Sequence, residues 1–141
     1  MAKVNFYKEQ TRFSLKERAK LRKFIEQLFI KEGKNLGEIN YILCSDEYLL
    51  HINRQYLGHD YYTDIITFDL SDNNALIIGE VYVSTDRVSE NAVDLGVPVD
   101  DEIKRVLFHG ALHLCGYKDK TKKQQSIMRI KENEYLSSYY R

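Results

Sequence analysis

The chain has 141 residues, 43% of them hydrophobic and 30% charged, with 21 Lys plus Arg set against 21 Asp plus Glu. That length supports one globular domain with a sizeable core, and the equal charges exclude an overall polycation, so any basic surface must come from local clustering. One proline and seven glycines leave little room for a disordered linker, and two cysteines are too few for a disulfide framework.

At the N-terminus, MAKVNFYKEQTRF holds no uninterrupted apolar run, so neither a signal peptide nor a membrane anchor is expected, and the expected compartment is a reducing, bacterial-type cytoplasm. Residues 3–8 alternate as a short strand. Ser14, with Glu17 three residues on, predicts a capping box opening a helix through Leu15, Leu21, Phe24, Ile25 and Leu28, ending near Gly33 and Gly37. Residues 39–44 form a β-branched apolar run that reads as a buried strand. Ser45 and Asp46 cap a second helix through Leu49, Leu50, Ile52 and Tyr56, ending at Gly58. Residues 64–70 read as strand, Ser71-Asp72-Asn73-Asn74 as a turn, and residues 75–84 as the next strand. Ser84 or Thr85 caps a helix that closes near Gly96. Pro98, Asp100 and Asp101 open a fourth helix with an apolar stripe of Ile103, Val106, Leu107 and Leu114, and a charged fifth helix begins near Lys122. The order β-α-β-α-β-β-α-α-α predicts an α+β fold. A single domain over residues 1–141 is expected, with a small mixed four-stranded sheet and about five helices packed on it.

The fourth helix carries the residues that point to chemistry. His109 and His113, in FHGALHLCGYKDK, are four apart, so they lie one turn apart on one helix face and can reach a single cation. An otherwise apolar helix is a costly place for an unpaired imidazole. Gly110 and Ala111 keep the surrounding surface small and open, Gly116 stops the helix, and Asp119 beyond it can fold back as a third ligand. Two nitrogens and one carboxylate oxygen leave a divalent ion an open position for water, the arrangement of a hydrolytic site, here at the C-terminal end of a central helix. In H-E-x-x-H metalloproteases a glutamate base follows the first histidine. That position is Gly110, which counts against peptide hydrolysis. Cys115, two residues past His113, points away around the helix and reads as core, as does Cys44 at the end of an apolar strand.

HGALHLCGYKD resembles H-G-x-L-H-L-x-G-Y-D-H, the metal-binding signature of the YbeY family of endoribonucleases, bacterial rRNA maturation factors. Residues 51–70, HINRQYLGHDYYTDIITFDL, resemble the family's N-x-x-Y-R-x-x-D-x-P-T-D-V-L-S-F stretch, and Gly79-Glu80 its G-D-I segment, so the resemblance spans essentially the whole chain. It implies an α+β metalloprotein that binds zinc, one ion per chain, and cleaves single-stranded RNA. It further implies a role in maturing the 3′ end of 16S rRNA and in ribosome quality control, in the cytoplasm. The implied partners are single-stranded RNA, the small ribosomal subunit and its assembly factors, and no membrane. By this resemblance His109, His113 and Asp119 are the metal ligands and the catalytic centre.

The family's third histidine is Asp119 here, a harder ligand that acidifies bound water less and shifts preference toward manganese, iron or nickel. Two histidines and a carboxylate also describe the facial triad of non-haem iron oxygenases, but those ligands usually come from separate strands of a barrel. The family's arginine after the tyrosine, thought to meet substrate phosphate, is Leu57, and its proline before Thr63 is Tyr62. Arg54, one helical turn earlier, is the expected replacement cation. Expected substrate contacts are His59, Thr63 and Asp64 in the same block, and Lys120 among Lys118, Lys122 and Lys123 at the exit of the metal site, with Arg129 and Lys131 further on. The Tyr61-Tyr62 pair can stack on bases. Plainer roles compete: turn capping for Thr63 and Asp64, and a solvated surface for His59, Arg54 and the lysines. Glu80 or Asp64 is the candidate to orient a water. The rival function is a non-catalytic ribosome-assembly factor with a structural metal, and a metallopeptidase-like hydrolase ranks third.

Overall fold

In a computed structural model, which describes residues 2–72 and 75–141, strands and helices follow in the expected order. They are β1 (Lys3–Glu9), α1 (Arg18–Lys31), β2 (Leu36–Cys44), α2 (Asp46–Ile52, prolonged by a π-helical turn at Asn53–Leu57), β3 (Ile65–Asp69), β4 (Ile77–Ser84), α3 (Thr85–Leu95), α4 (Val99–Leu114) and α5 (Lys122–Tyr139). The fold is α+β, one small domain of five α-helices on a mixed four-stranded sheet. Of the turn expected after β3, Asn73 and Asn74 lie outside the described residues. No helix among the described residues is long and apolar enough to cross a membrane.

Local signals explain most boundaries. The Ser45 and Ser84 hydroxyls accept the backbone N–H of Tyr48 and Arg87 at 3.1 and 3.2 Å, and so cap α2 and α3. Gly58 and Gly96 end their helices in the left-handed conformation. The start of α1 departs from expectation. Glu17 precedes its first turn with left-handed angles (φ 56°, ψ 41°) and no side-chain cap, so the Ser14 capping box does not form. Phe13 and Leu15 pack against the core from the segment before the helix, and the Glu17 carboxylate lies 3.9 Å from the buried Lys104 ammonium. Burial of two apolar side chains thus outweighs a local capping preference worth about 1 kcal/mol. The capping box occurs instead at Thr121 and Gln124, at the start of α5.

The sheet order is β1-β2-β4-β3, with β1, β2 and β4 parallel and β3 antiparallel to β4 at the edge. Strand alternation sends Val81 and Val83 into the main core, where they meet Leu21, Ile25, Leu107, Phe108 and Ala111 from α1 and α4. A smaller cluster of Ile42, Cys44, Leu49, Ile52 and Ile66 closes the other face beneath α2. Both cysteines are free and buried, and burial pushes each thiol up to about 12, as suits core residues.

Two glycines let α4 lie close on the sheet. A Cβ at Gly110 would sit 2.8 Å from Val81 Cγ1, and one at Gly79 would sit 2.6 Å from Leu114 Cδ1. Gly110 is therefore buried against β4, and it does not open the surface around the histidines as the sequence suggested. Gly110→Ala should gain about 1 kcal/mol of helix propensity but lose about 1–3 kcal/mol to overpacking, because the β-branched Val81 has little freedom to give way. A lower denaturation midpoint with an unchanged m-value is the expected result, and a raised midpoint would refute this account of the contact.

Candidate metal centre

The last turn of α4 arranges its own ligands. Gly116 takes φ +108°, and the N–H groups of Gly116 and Tyr117 donate to the carbonyls of His113 and Leu112 at 3.0 and 3.1 Å. This Schellman closure returns the chain over the helix end. The Tyr117 carbonyl then accepts a hydrogen bond from His113 Nδ1 at 2.9 Å, and Asp119 comes back toward the histidines. A carbonyl can only accept, so the His113 proton is on Nδ1 and the Nε2 lone pair faces outward. His109 Nδ1 is engaged in the same way by Glu132 Oε2 at 2.6 Å, contributed by α5. These second contacts fix both tautomers and ring planes.

His109 Nε2, His113 Nε2 and Asp119 Oδ2 form a triangle with sides of 3.0, 3.1 and 3.2 Å. Donor atoms about 2.1 Å from an ion are about 3.4 Å apart in tetrahedral coordination and about 3.0 Å apart in octahedral coordination. The triangle lies within that range, so the residues fit a divalent ion. Among the described residues, these three are the group of histidine, cysteine and carboxylate side chains spaced to hold one. Converging lone pairs repel unless a cation sits among them. Burial opposes charge on His109, but the hydrogen bond and charge of Glu132, with Asp119 and Asp64, raise its pKa above the ordinary value. A proton or a metal ion thus satisfies the same site. The partial negative charge at the C-terminus of α4 favours either.

The triad lines a cleft of about 630 Å³ between α4, α5 and the β3 edge. Thr63 and Asp64 line it too. Arg54, His59 and Lys120 are not among its lining residues. Arg54 is instead ion-paired with Asp60, six residues on, and His59 stacks on Tyr61 with 5.2 Å between ring centres. Glu80 lies on the opposite face of the sheet, in a groove with Tyr48 and Tyr82, because strand alternation separates it from Val81. The cleft's guanidinium groups are Arg105 and Arg129, and its buried acids are Glu102 and Glu132. Burial holds the Glu102 carboxyl above its ordinary range despite the opposing charges of Arg105 and Arg129. Sequence spacing carries a hint of one of these residues: Arg105 stands four residues before His109, on the face that also carries His113.

A second network anchors the ligand loop. The Glu32 carboxylate, at the end of α1, accepts from Tyr117 Oη at 2.7 Å and Lys131 Nζ at 3.3 Å, and from the Tyr135 hydroxyl. Burial alone would raise its pKa, but these hydrogen bonds and the Lys131 charge outweigh it and lower the pKa. A depressed carboxylate stabilises the fold above its unfolded pKa and loses that contribution as pH falls through its folded value. Glu32→Gln should therefore lower the thermal midpoint at neutral pH, and the gap from wild type should close below pH about 4. A gap that persists in acid would show that packing, not charge, sets the contribution of Glu32.

Residues 4–140 match the family model described as Endoribonuclease YbeY. The chain is 52% identical over 134 residues to the Endoribonuclease YbeY of Cytophaga hutchinsonii, covering 95% of this chain and 94% of that protein. It is 47% identical over 137 residues to that of Christiangramia forsetii, covering 97% and 94%. The solution structure of TM1509 from Thermotoga maritima superposes with a TM-score of 0.68 at 29% identity, covering 96% of this chain and 89% of that one. A near full-length match in sequence, with a solved neighbour of the same fold, leads to one conclusion: the chain belongs to the Endoribonuclease YbeY family.

Proposed function

We propose that residues 1–141 act as one metal-dependent endoribonuclease domain that cleaves single-stranded RNA. Its role is 3′-end maturation of 16S rRNA and ribosome quality control, in the cytoplasm, with the small ribosomal subunit and its assembly factors as partners. One observation carries the reading: two Nε2 lone pairs and a carboxylate oxygen converge within 3.2 Å of one another at the wall of an open cleft, with both Nδ1 groups already engaged. The names borne by its relatives support the substrate class.

His109, His113 and Asp119 are the proposed ligands, with one zinc per chain as the proposed metal and manganese, iron or nickel as alternatives. When bound, such an ion supplies Lewis-acid polarisation of a phosphodiester and an acidified water. The chain's own groups hold that centre in place. Glu132 and the Tyr117 carbonyl keep the imidazole planes fixed, while Thr63 and Asp64, at the start of the β3 edge, are the proposed contacts to the RNA strand across the cleft. Arg54, His59 and Lys120 stand outside the cleft and are assigned at most to flanking nucleotides of a longer RNA.

The test is elemental analysis of protein purified without added metal, together with a cleavage assay on single-stranded RNA before and after chelation. About one zinc per chain, with cleavage lost on chelation while the fold survives, would support the proposal. Metal that is present without cleavage, or whose removal unfolds the chain, would favour a non-catalytic assembly factor with a structural ion.

A further inference from the structure

We propose that Arg105 and Arg129 form a two-guanidinium subsite for the phosphodiester adjacent to the one held at the triad; this rests on the endoribonuclease reading. The two residues come from different helices and meet at one carboxylate oxygen. Arg105 Nη1 lies 3.6 Å and Arg129 Nη1 lies 3.5 Å from Glu132 Oε1. The other oxygen of Glu132 holds His109. Both guanidiniums are therefore one carboxylate away from a metal ligand, and both line the cleft that contains all three ligands. Arg129 also lines a smaller cavity with His109 and Asp119, so it stands beside the triad on a second side.

The two arginines are prepared differently. Arg105 is fixed: its side chain is 17% exposed, its Nη1 donates to Asn133 Oδ1 at 2.9 Å, and Glu102 Oε1 lies 3.3 Å from its Nε without an aligned hydrogen bond. Arg129 has a side chain that is 56% exposed, and it shares its counter-ion with Arg105. Arg105 has a second carboxylate in Glu102, whereas Arg129 is paired with the shared Glu132. A phosphate supplies a counter-charge that the exposed Arg129 can take up and the pair of acceptors that a guanidinium fork matches.

The test is fluorescence anisotropy of the protein as purified with a short labelled uridine-rich RNA, its 2′-oxygens methylated to block attack from that position, titrated over a range of salt. Arg129→Ala, at an exposed site, should weaken binding by about fivefold to tenfold at low salt and flatten the plot of log affinity against log salt by about 0.7. Arg105→Lys should keep the wild-type slope, because the charge is kept, yet bind more weakly through loss of the fork. Lys23→Ala, exposed on α1 and outside the cleft, should match wild type in both. Wild-type affinity and slope in Arg129→Ala, with the methylated RNA bound and its unmodified counterpart cut, would overturn the subsite alone. Wild-type protein that neither binds this RNA nor cuts its unmodified counterpart would overturn the endoribonuclease reading and the subsite with it.

Discussion

His113→Ala is expected to yield a folded protein that retains almost no metal and cuts no RNA. Its Nε2 lies 3.0 Å from His109 Nε2 and 3.1 Å from Asp119 Oδ2, so its removal leaves two donors where three converged. The side chain is 25% exposed, and alanine is the better helix former, so the substitution leaves no large cavity and no break in α4. Substituting a residue that merely orients a ligand costs about 10–100-fold in metal affinity, and loss of a ligand itself should exceed that. Asp119→Ala should behave alike, at a position 39% exposed. Asp119→His offers a nitrogen in place of the carboxylate and should keep the ion while shifting preference toward zinc over manganese. The measurement is metal per chain by elemental analysis, beside cleavage of single-stranded RNA. Full metal content in Asp119→Ala would place the third ligand elsewhere.

Local chemistry made much of this molecule legible before its coordinates. Ser45 and Ser84 before apolar periodicity, and Gly58 and Gly96 after it, marked helix ends that the structure keeps. The His109, His113 and Asp119 set was equally local, since one helical turn and one glycine closure bring the three together. What escaped was tertiary. Glu132 is 23 residues from His109, and no spacing rule joins them. A weak sign was present even so. Met128, Glu132, Tyr135 and Tyr139 fall at helical steps, and all four are buried, so a glutamate occupied a core position in an otherwise solvated helix. A buried carboxylate needs a partner, and that need points toward the histidines. Arg54 was misplaced for a related reason. Helical spacing set it near Leu57, but Asp60 in the next turn claims it, and the cleft opens instead beside β3 and α4. The Ser14 capping signal lost to the burial of Phe13 and Leu15, an energy that no three-residue motif reports.

Glu132→Gln should lower metal affinity by about 10–100-fold while the protein stays folded. Wild-type Glu132 is 5% exposed and serves two masters: Oε2 accepts the His109 Nδ1 proton at 2.6 Å, and Oε1 faces Arg105 and Arg129. Glutamine keeps the shape but has one acceptor oxygen and one amide donor. If the oxygen turns to the arginines, the amide meets His109 Nδ1, which must then accept, and the ring proton moves to Nε2. That places a proton where the ion belongs. If the oxygen stays on His109, the amide donor faces two guanidiniums and their charges go unbalanced. Either way the ligand becomes a poorer donor. Glu132→Ala is more severe, because it removes the acceptor of the His109 Nδ1 proton and a carboxylate partner of Arg105 and Arg129 together. Competition with a coloured chelator measures the affinity, and the ring-nitrogen shifts of His109 in metal-free protein report which nitrogen carries the proton. Wild-type affinity together with an unmoved Nδ1 proton in Glu132→Gln would mean that the carboxylate charge contributes nothing to the centre, and that Glu132 is retained for packing alone.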